Sequence, residues 1–137
     1  SFVNKVLGWS RKNKTLKLVS DQVGSPTWAP MLAKITCKAP FHNTADFLNT
    51  LRTRRDIYHL AGSGYTSRYE WAKQILTNDS KRTEQLVQTI EPVSSVEFPT
   101  PAMRPLFSAL NCEKFAKVFG LRPPSWEESL KTAMSEK

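Results

Sequence analysis

Leu16-Lys-Leu-Val-Ser-Asp-Gln-Val-Gly-Ser-Pro-Thr-Trp-Ala-Pro-Met-Leu32 changes its hydrophobic period once, and that change decides the fold class. Leu16, Leu18 and Val19 interleave with Lys17 and read as a strand of about five residues. Asp21-Gln22-Val23-Gly24-Ser25-Pro26 follows, punctuated by Gly and Pro as a tight loop. From Thr27 the apolar residues Trp28, Met31, Leu32 and Ile35 recur every three to four positions. That spacing predicts a helix to about residue 38, with Thr27 as N-cap and Pro30 inside the first turn. A strand, a polar loop and a helix in direct succession set the class as α/β. Polar chemistry is expected in the loop.

Upstream, Phe2, Val3, Val6, Leu7 and Trp9 form one face of a helix over roughly residues 2 to 12. Downstream, a short helix from Thr44 to Thr53 is expected to bury Phe47 and Leu48 and to close on Arg52, Arg54 and Arg55. Ile57-Tyr-His-Leu-Ala61 reads as a short buried strand bounded by Gly62 and Gly64. Ser67-Arg-Tyr-Glu70 is a capping box ahead of a helix that turns Trp71, Ala72, Ile75 and Leu76 inward. A polar link from Asn78 to Glu84 leads into Leu86 to Pro105, read as one short strand and a wandering arm. Asn111 caps a helix that carries Phe115 and Val118 and ends at Gly120, and Ser125-Trp-Glu-Glu128 is a second capping box opening the last helix. There is no internal repeat. The expectation is a helix-rich α/β chain with few strands.

The 137 residues carry 20 Lys plus Arg against 12 Asp plus Glu, a formal charge of +8, and 39% are apolar. That suits about one domain with one small core. No stretch approaches the roughly 18 apolar residues of a membrane helix, and Ser1-Phe-Val-Asn-Lys5 has no signal-peptide layout, so a cytoplasmic protein is expected. Cys37 and Cys112 make neither a disulfide framework nor a zinc site and are expected as buried free thiols. The chain opens on Ser1 inside an amphipathic pattern, as if cut from something longer.

Tyr69-Glu-Trp-Ala-Lys73 places a tyrosine and a lysine four apart on one helix face, the pairing by which short-chain dehydrogenases move a proton to a carbonyl. One such pair arises easily by chance, and surface residues explain it better. A nicotinamide site also needs a Gly-rich turn after a strand, which Gly8, Gly24, Gly62, Gly64 and Gly120 do not make. Arg104, before Pro105 on an extended segment, offers a forked guanidinium to a phosphate or carboxylate; its bland alternative is a rim arginine paired with a local glutamate. Gln22 offers a donor and an acceptor from the Asp21-to-Thr27 loop, although a loop-stabilising hydrogen bond would also explain it. Asp21 most simply closes its own turn. His59 fits a core position, His42 has less support, and Glu127 and Glu128 suit a helix N-terminus. The lysine cluster at 12, 14 and 17 and the arginine cluster at 52, 54 and 55 belong to no recognisable nucleic-acid motif.

Taken in order, Asp21-Gln-Val-Gly-Ser-Pro-Thr27, Tyr58-His-Leu-Ala-Gly62, Thr66-Ser-Arg-Tyr-Glu-Trp-Ala72, Pro101-Ala-Met-Arg-Pro-Leu-Phe-Ser-Ala-Leu-Asn111 and Phe119-Gly120 before Trp126 resemble the C-terminal portion of the dTDP-4-dehydrorhamnose reductase family. These are extended short-chain dehydrogenases of Rossmann type. The resemblance runs from Ser1 to the last helix. It implies an NADPH-dependent enzyme that reduces the 4-keto group of dTDP-6-deoxy-L-lyxo-4-hexulose to give dTDP-L-rhamnose for cell-surface polysaccharide. It also implies that the cofactor turn and the catalytic Tyr/Lys pair precede Ser1. On this reading residues 1–137 are the nucleotide-sugar-binding region alone, without the N-terminal cofactor domain, and the chain binds its dTDP-sugar without turning it over.

The same resemblance puts Tyr69 and Lys73 off the catalytic helix. It implies that Arg104 holds the pyrophosphate, that the Gln22 loop borders the pocket, and that Thr27 and Ser108 are weaker candidates. Some members use magnesium at a dimer contact; only Glu136 answers to it here, and no metal is assigned. Neither nucleic acid nor membrane is an expected partner, whereas self-association through surfaces exposed by truncation is. The rivals are a basic nucleic-acid-binding module and a non-catalytic interaction subunit.

Overall fold

The strand read at Leu16 is β1, Thr15–Val19, in a computed structural model that describes residues 1–39 and 47–136. Leu16 and Leu18 are buried while Thr15 and Lys17 face solvent, the alternation of a half-buried strand. Its partner is β4, Thr89–Val93, parallel to it with Thr15 opposite Thr89 and Val19 opposite Val93. A shorter pair, β2 (Val23–Gly24) with β3 (Thr66–Ser67), is antiparallel. Contacts divide the chain into two compact units, the first formed by Ser1–Gly24, Thr66–Ser108 and Leu130–Lys137, the second by Ser25–Tyr65 and Ala109–Ser129.

In the first unit, α1 (Phe2–Ser10) packs on α4 (Arg68–Thr77), and α4 in turn on β1. Val6, Ala72, Ile75 and Leu76 are buried, and the Phe2 ring stacks on Trp71 with centroids 4.9 Å apart. The Ser67 hydroxyl accepts the Glu70 N–H at 3.1 Å, but the Glu70 carboxylate takes the Lys73 ammonium at 3.1 Å instead of reaching back, so half of the expected capping box forms. Past the end of α1, Arg11 donates to both Asp79 oxygens at 3.2 and 3.0 Å and to Glu84 at 2.8 Å. Asp79, only 6% exposed, also accepts from the Lys81 N–H and the Gln85 amide. Burial alone would raise its carboxyl; Gln85, Lys81 and Arg11 outweigh burial and hold it below the usual range.

The second unit centres on Met31, Ile35 and Ala39, the first two on α2 (Ala29–Lys38), packed with Phe115 and Phe119 of α5 (Glu113–Phe119). The Tyr58 ring meets Phe119 edge-on at 5.0 Å, and its hydroxyl donates to the Arg54 carbonyl just past α3 (Phe47–Thr53). Gly120 ends α5 at φ +68°, a left-handed cap suited to glycine. The second capping box forms fully: the Ser125 N–H donates to Glu128 at 3.0 Å and the Glu128 N–H to the Ser125 hydroxyl at 3.2 Å, opening α6 (Trp126–Ser135).

Several expectations need correcting. Ile57 to Ala61 is extended but joins no strand among the described residues, and Ile57 is 80% exposed; the segment is held through Tyr58, Leu60 and Ala61. Leu48 is 64% exposed, because only one face of the short α3 meets the unit, where Thr50 is buried. Cys37 is exposed and Cys112 half-buried, so neither free thiol is a core residue. His59 is exposed as well. Thr27 does not cap α2, whose N-cap is Trp28 without a side-chain bond. Thr44 to Asp46 of the expected helix, and His42, lie outside the described residues. Among the described residues no helix is long and apolar enough to cross a membrane.

Candidate functional site

Gln22 precedes β2, and β2 receives the arm that carries Arg104. The Val23 N–H donates to the Leu106 carbonyl at 2.7 Å, and the Ser108 N–H returns to the Val23 carbonyl at 2.9 Å. Val23 and Phe107 thereby form a parallel bridge. The wandering arm is thus a partner of the loop, and Gln22, Arg104 and Ser108 come to one short stretch of backbone within the first unit. The Ser108 hydroxyl also donates to the Val23 carbonyl at 3.2 Å, and a Cβ on Gly24 would lie 3.3 Å from it. Ser108 therefore fastens the arm with the same group that was expected to meet a ligand.

Arg104 is exposed, and no hydrogen bond or ion pair engages its guanidinium among the described residues. The alternative of a rim arginine paired with a glutamate is not what forms. Pro105 fixes one backbone torsion beside it, and a fork of donors on a stiff extended segment suits two bonds to a pyrophosphate. Gln22 is half-buried.

Asp21 does not close its own turn. Its carboxylate accepts the Ser95 N–H at 2.9 Å, the Ser94 hydroxyl at 2.9 Å and the Ser95 hydroxyl at 3.1 Å, just past β4. The Ser95 N–H foremost, with both hydroxyls, holds this carboxyl below its ordinary range. The partner lies so far along the chain that no local pattern announces it.

In the second unit, Thr27 donates to the Ser25 carbonyl at 3.0 Å and accepts the Gly62 N–H at 3.2 Å. A Cβ on Gly62 would sit 2.4 Å from the Pro26 carbonyl, so that position admits only glycine without movement. The Ser25 hydroxyl, which the sequence reading passed over, donates to the Gly64 carbonyl at 3.0 Å and accepts the Leu110 N–H at 3.4 Å. Three loops of this unit are tied by small hydroxyls rather than by packing.

Lys73 places its ammonium 5.2 Å from the centre of the Tyr69 ring and on Glu70, an exposed ion pair and cation–π contact. A Cβ on Gly24 would meet the Ser108 hydroxyl and one on Gly62 the Pro26 carbonyl, so both glycines serve close approaches within the chain. Among them, no group of three or more His, Cys, Asp or Glu could hold a metal ion. Glu136 follows α6, its N–H donating to the Thr132 carbonyl.

A family model described as RmlD substrate binding domain matches residues 1–137. The dTDP-4-dehydrorhamnose reductase of Sinorhizobium fredii is 35% identical over 133 residues, which cover 94% of this chain and 42% of that protein. The crystal structure of an orthologue of this reductase from Clostridium acetobutylicum superposes with a TM-score of 0.81 at 28% identity, covering 99% of this chain and 43% of that one. The Bacillus anthracis reductase, crystallised with NADP, gives 0.79 at 28% identity, over 100% and 43%. These neighbours have the Rossmann-like fold of extended short-chain dehydrogenases, and the chain matches their C-terminal part. It spans less than half of their length. With its whole length matched by one family model, the chain belongs to the RmlD substrate binding domain family.

Proposed function

We propose that this chain is the nucleotide-sugar-binding region of a cytoplasmic reductase that converts dTDP-6-deoxy-L-lyxo-4-hexulose to dTDP-L-rhamnose. One observation carries the reading: Arg104, exposed and without an ion pair among the described residues, stands on an arm hydrogen-bonded to the Gln22 loop. Arg104 grips the pyrophosphate by two charge-assisted bonds, and Gln22 offers its amide to the nucleoside or sugar. Ser108 shapes the wall beside them, its hydroxyl committed to the Val23 carbonyl, while the weaker candidate Thr27 belongs to the second unit, its hydroxyl engaged with Ser25 and Gly62. NADPH, when bound to the whole enzyme, supplies the hydride; its site lies outside these residues. The family membership and the NADP-bound relative support this assignment. Exposed Ile57, Val96 and Met103 support self-association of the chain when it stands alone.

Calorimetric titration with dTDP-L-rhamnose tests the reading. Saturable binding that Arg104→Ala weakens by about 10- to 100-fold is the expected result. Binding of an oligonucleotide with a steep salt dependence, indifferent to Arg104→Ala, would replace this reading with the nucleic-acid one. Absence of sugar-nucleotide binding even in a fusion with a complete cofactor domain would point to the interaction-subunit reading. NADPH oxidation by the chain alone, given the keto-sugar, contradicts the division of labour. Light scattering reads the self-association.

A further inference from the structure

Residues 96–105 leave β4 and return to β2, and both ends of this segment are fastened to neighbouring residues. At one end Ser94 and Ser95 donate to Asp21; at the other, Leu106 and Ser108 bond to Val23. Between these anchors lie Pro99, Pro101 and Pro105, fully exposed Met103, and Arg104. A proline-stiffened segment pinned at both ends has little freedom left. Released at one end, it would pivot on Leu106 and carry Arg104 with it.

We propose that Asp21 is a positioning residue, which fixes the strap bearing Arg104 so that the guanidinium meets a pyrophosphate without first being ordered. The inference rests on the reading of Arg104 given above. Its particular support is a conflict of signs. A carboxylate close along the chain to an anion site repels the anion, so on charge alone Asp21 would weaken binding. The donors from Ser94 and Ser95 engage that charge, and what they provide in return is a closed strap. Preorganisation of this kind raises affinity by removing an ordering cost from the binding step.

The test compares Asp21→Ala and Asp21→Asn with the parent chain. Asparagine keeps the shape and one acceptor oxygen, and its amide can donate to a rotated serine hydroxyl, so it restores most of the anchor while removing the charge. Titration with dTDP is expected to show binding about tenfold weaker in Asp21→Ala, and equal to or tighter than the parent in Asp21→Asn. Hydrogen exchange read by mass spectrometry is expected to speed up over residues 96–105 in Asp21→Ala, to recover in Asp21→Asn, and to stay unchanged in β1 and α1. Tighter dTDP binding by both variants would mean that Asp21 acts only through its charge and would overturn the inference. Unchanged exchange over 96–105 in Asp21→Ala would overturn it as well. A parent chain that fails to bind dTDP defeats the pocket reading alone, and exchange then still decides whether Asp21 holds the strap.

Discussion

The Leu106 carbonyl accepts the Val23 N–H at 2.7 Å, so the residue next to Gln22 and the residue two past Arg104 share one hydrogen bond. Two side chains singled out for different reasons thereby belong to one short stretch of paired backbone.

Arg104→Ala is expected to leave the melting temperature unchanged, because the side chain is exposed and makes no hydrogen bond or ion pair among the described residues. Binding of dTDP-L-rhamnose should fall by about 1.5–3 kcal/mol, the range for hydrogen bonds to a charged group. Arg104→Lys, which keeps the charge but loses the fork, should recover only part of that loss. Calorimetry on the three proteins checks the order.

Asp79→Ala should destabilise the first unit by about 1–3 kcal/mol, since it takes from the part-buried Gln85 amide and Lys81 N–H their acceptor and frees one side of Arg11. Urea denaturation measures the loss. The pH dependence has a definite sign. With the folded carboxyl held below its unfolded value, the contribution is complete above about pH 4 and disappears as pH falls through the folded value. Parent and Asp79→Ala stabilities should therefore converge on acidification, and a gap that widened in acid would refute the assignment.

Gly62→Ala is expected to cost about 1–3 kcal/mol, because the added methyl meets the Pro26 carbonyl at 2.4 Å. Gly8→Ala, where a Cβ meets nothing within 4 Å, should be neutral or stabilising in the middle of α1. Thermal melts of the pair separate close backbone approach from a general intolerance of alanine.

Cys37 should react with a maleimide in the folded chain at nearly the rate of a free peptide thiol, with half-buried Cys112 slower. Mass spectrometry after a short pulse shows which thiol is labelled. Protection of Cys37 without denaturant would contradict its exposed place on α2.

The readable parts of the sequence were those with local causes. The alternation at Leu16 to Val19, the heptad-like spacing from Trp28 to Ile35, and the Ser125/Glu128 box all report interactions within a few residues, and all formed. Ile57 to Ala61 misled because strand-favouring side chains also suit an extended segment that docks by its rings: Tyr58 lies on Phe115 and Phe119 instead of in a sheet. Asp21 looked like a turn residue because its true partners lie far along the chain, at Ser94 and Ser95. Arg104 and Gln22 could each be named from chemistry, but their nearness depends on Val23, whose two backbone bonds leave no trace in composition or period.

The parallel pairing of β1 with β4 also dictates an order of events during synthesis. Leu16 and Leu18 leave the ribosome before the strand they pair with, which does not exist until translation has passed Thr89, and the first segment of the other unit lies between the two. Closing so long a loop delays that pairing. The pairing of Thr15–Val19 with β4 is thus secured only once Thr89–Val93 has been made, so its formation is set by the later of the two strands.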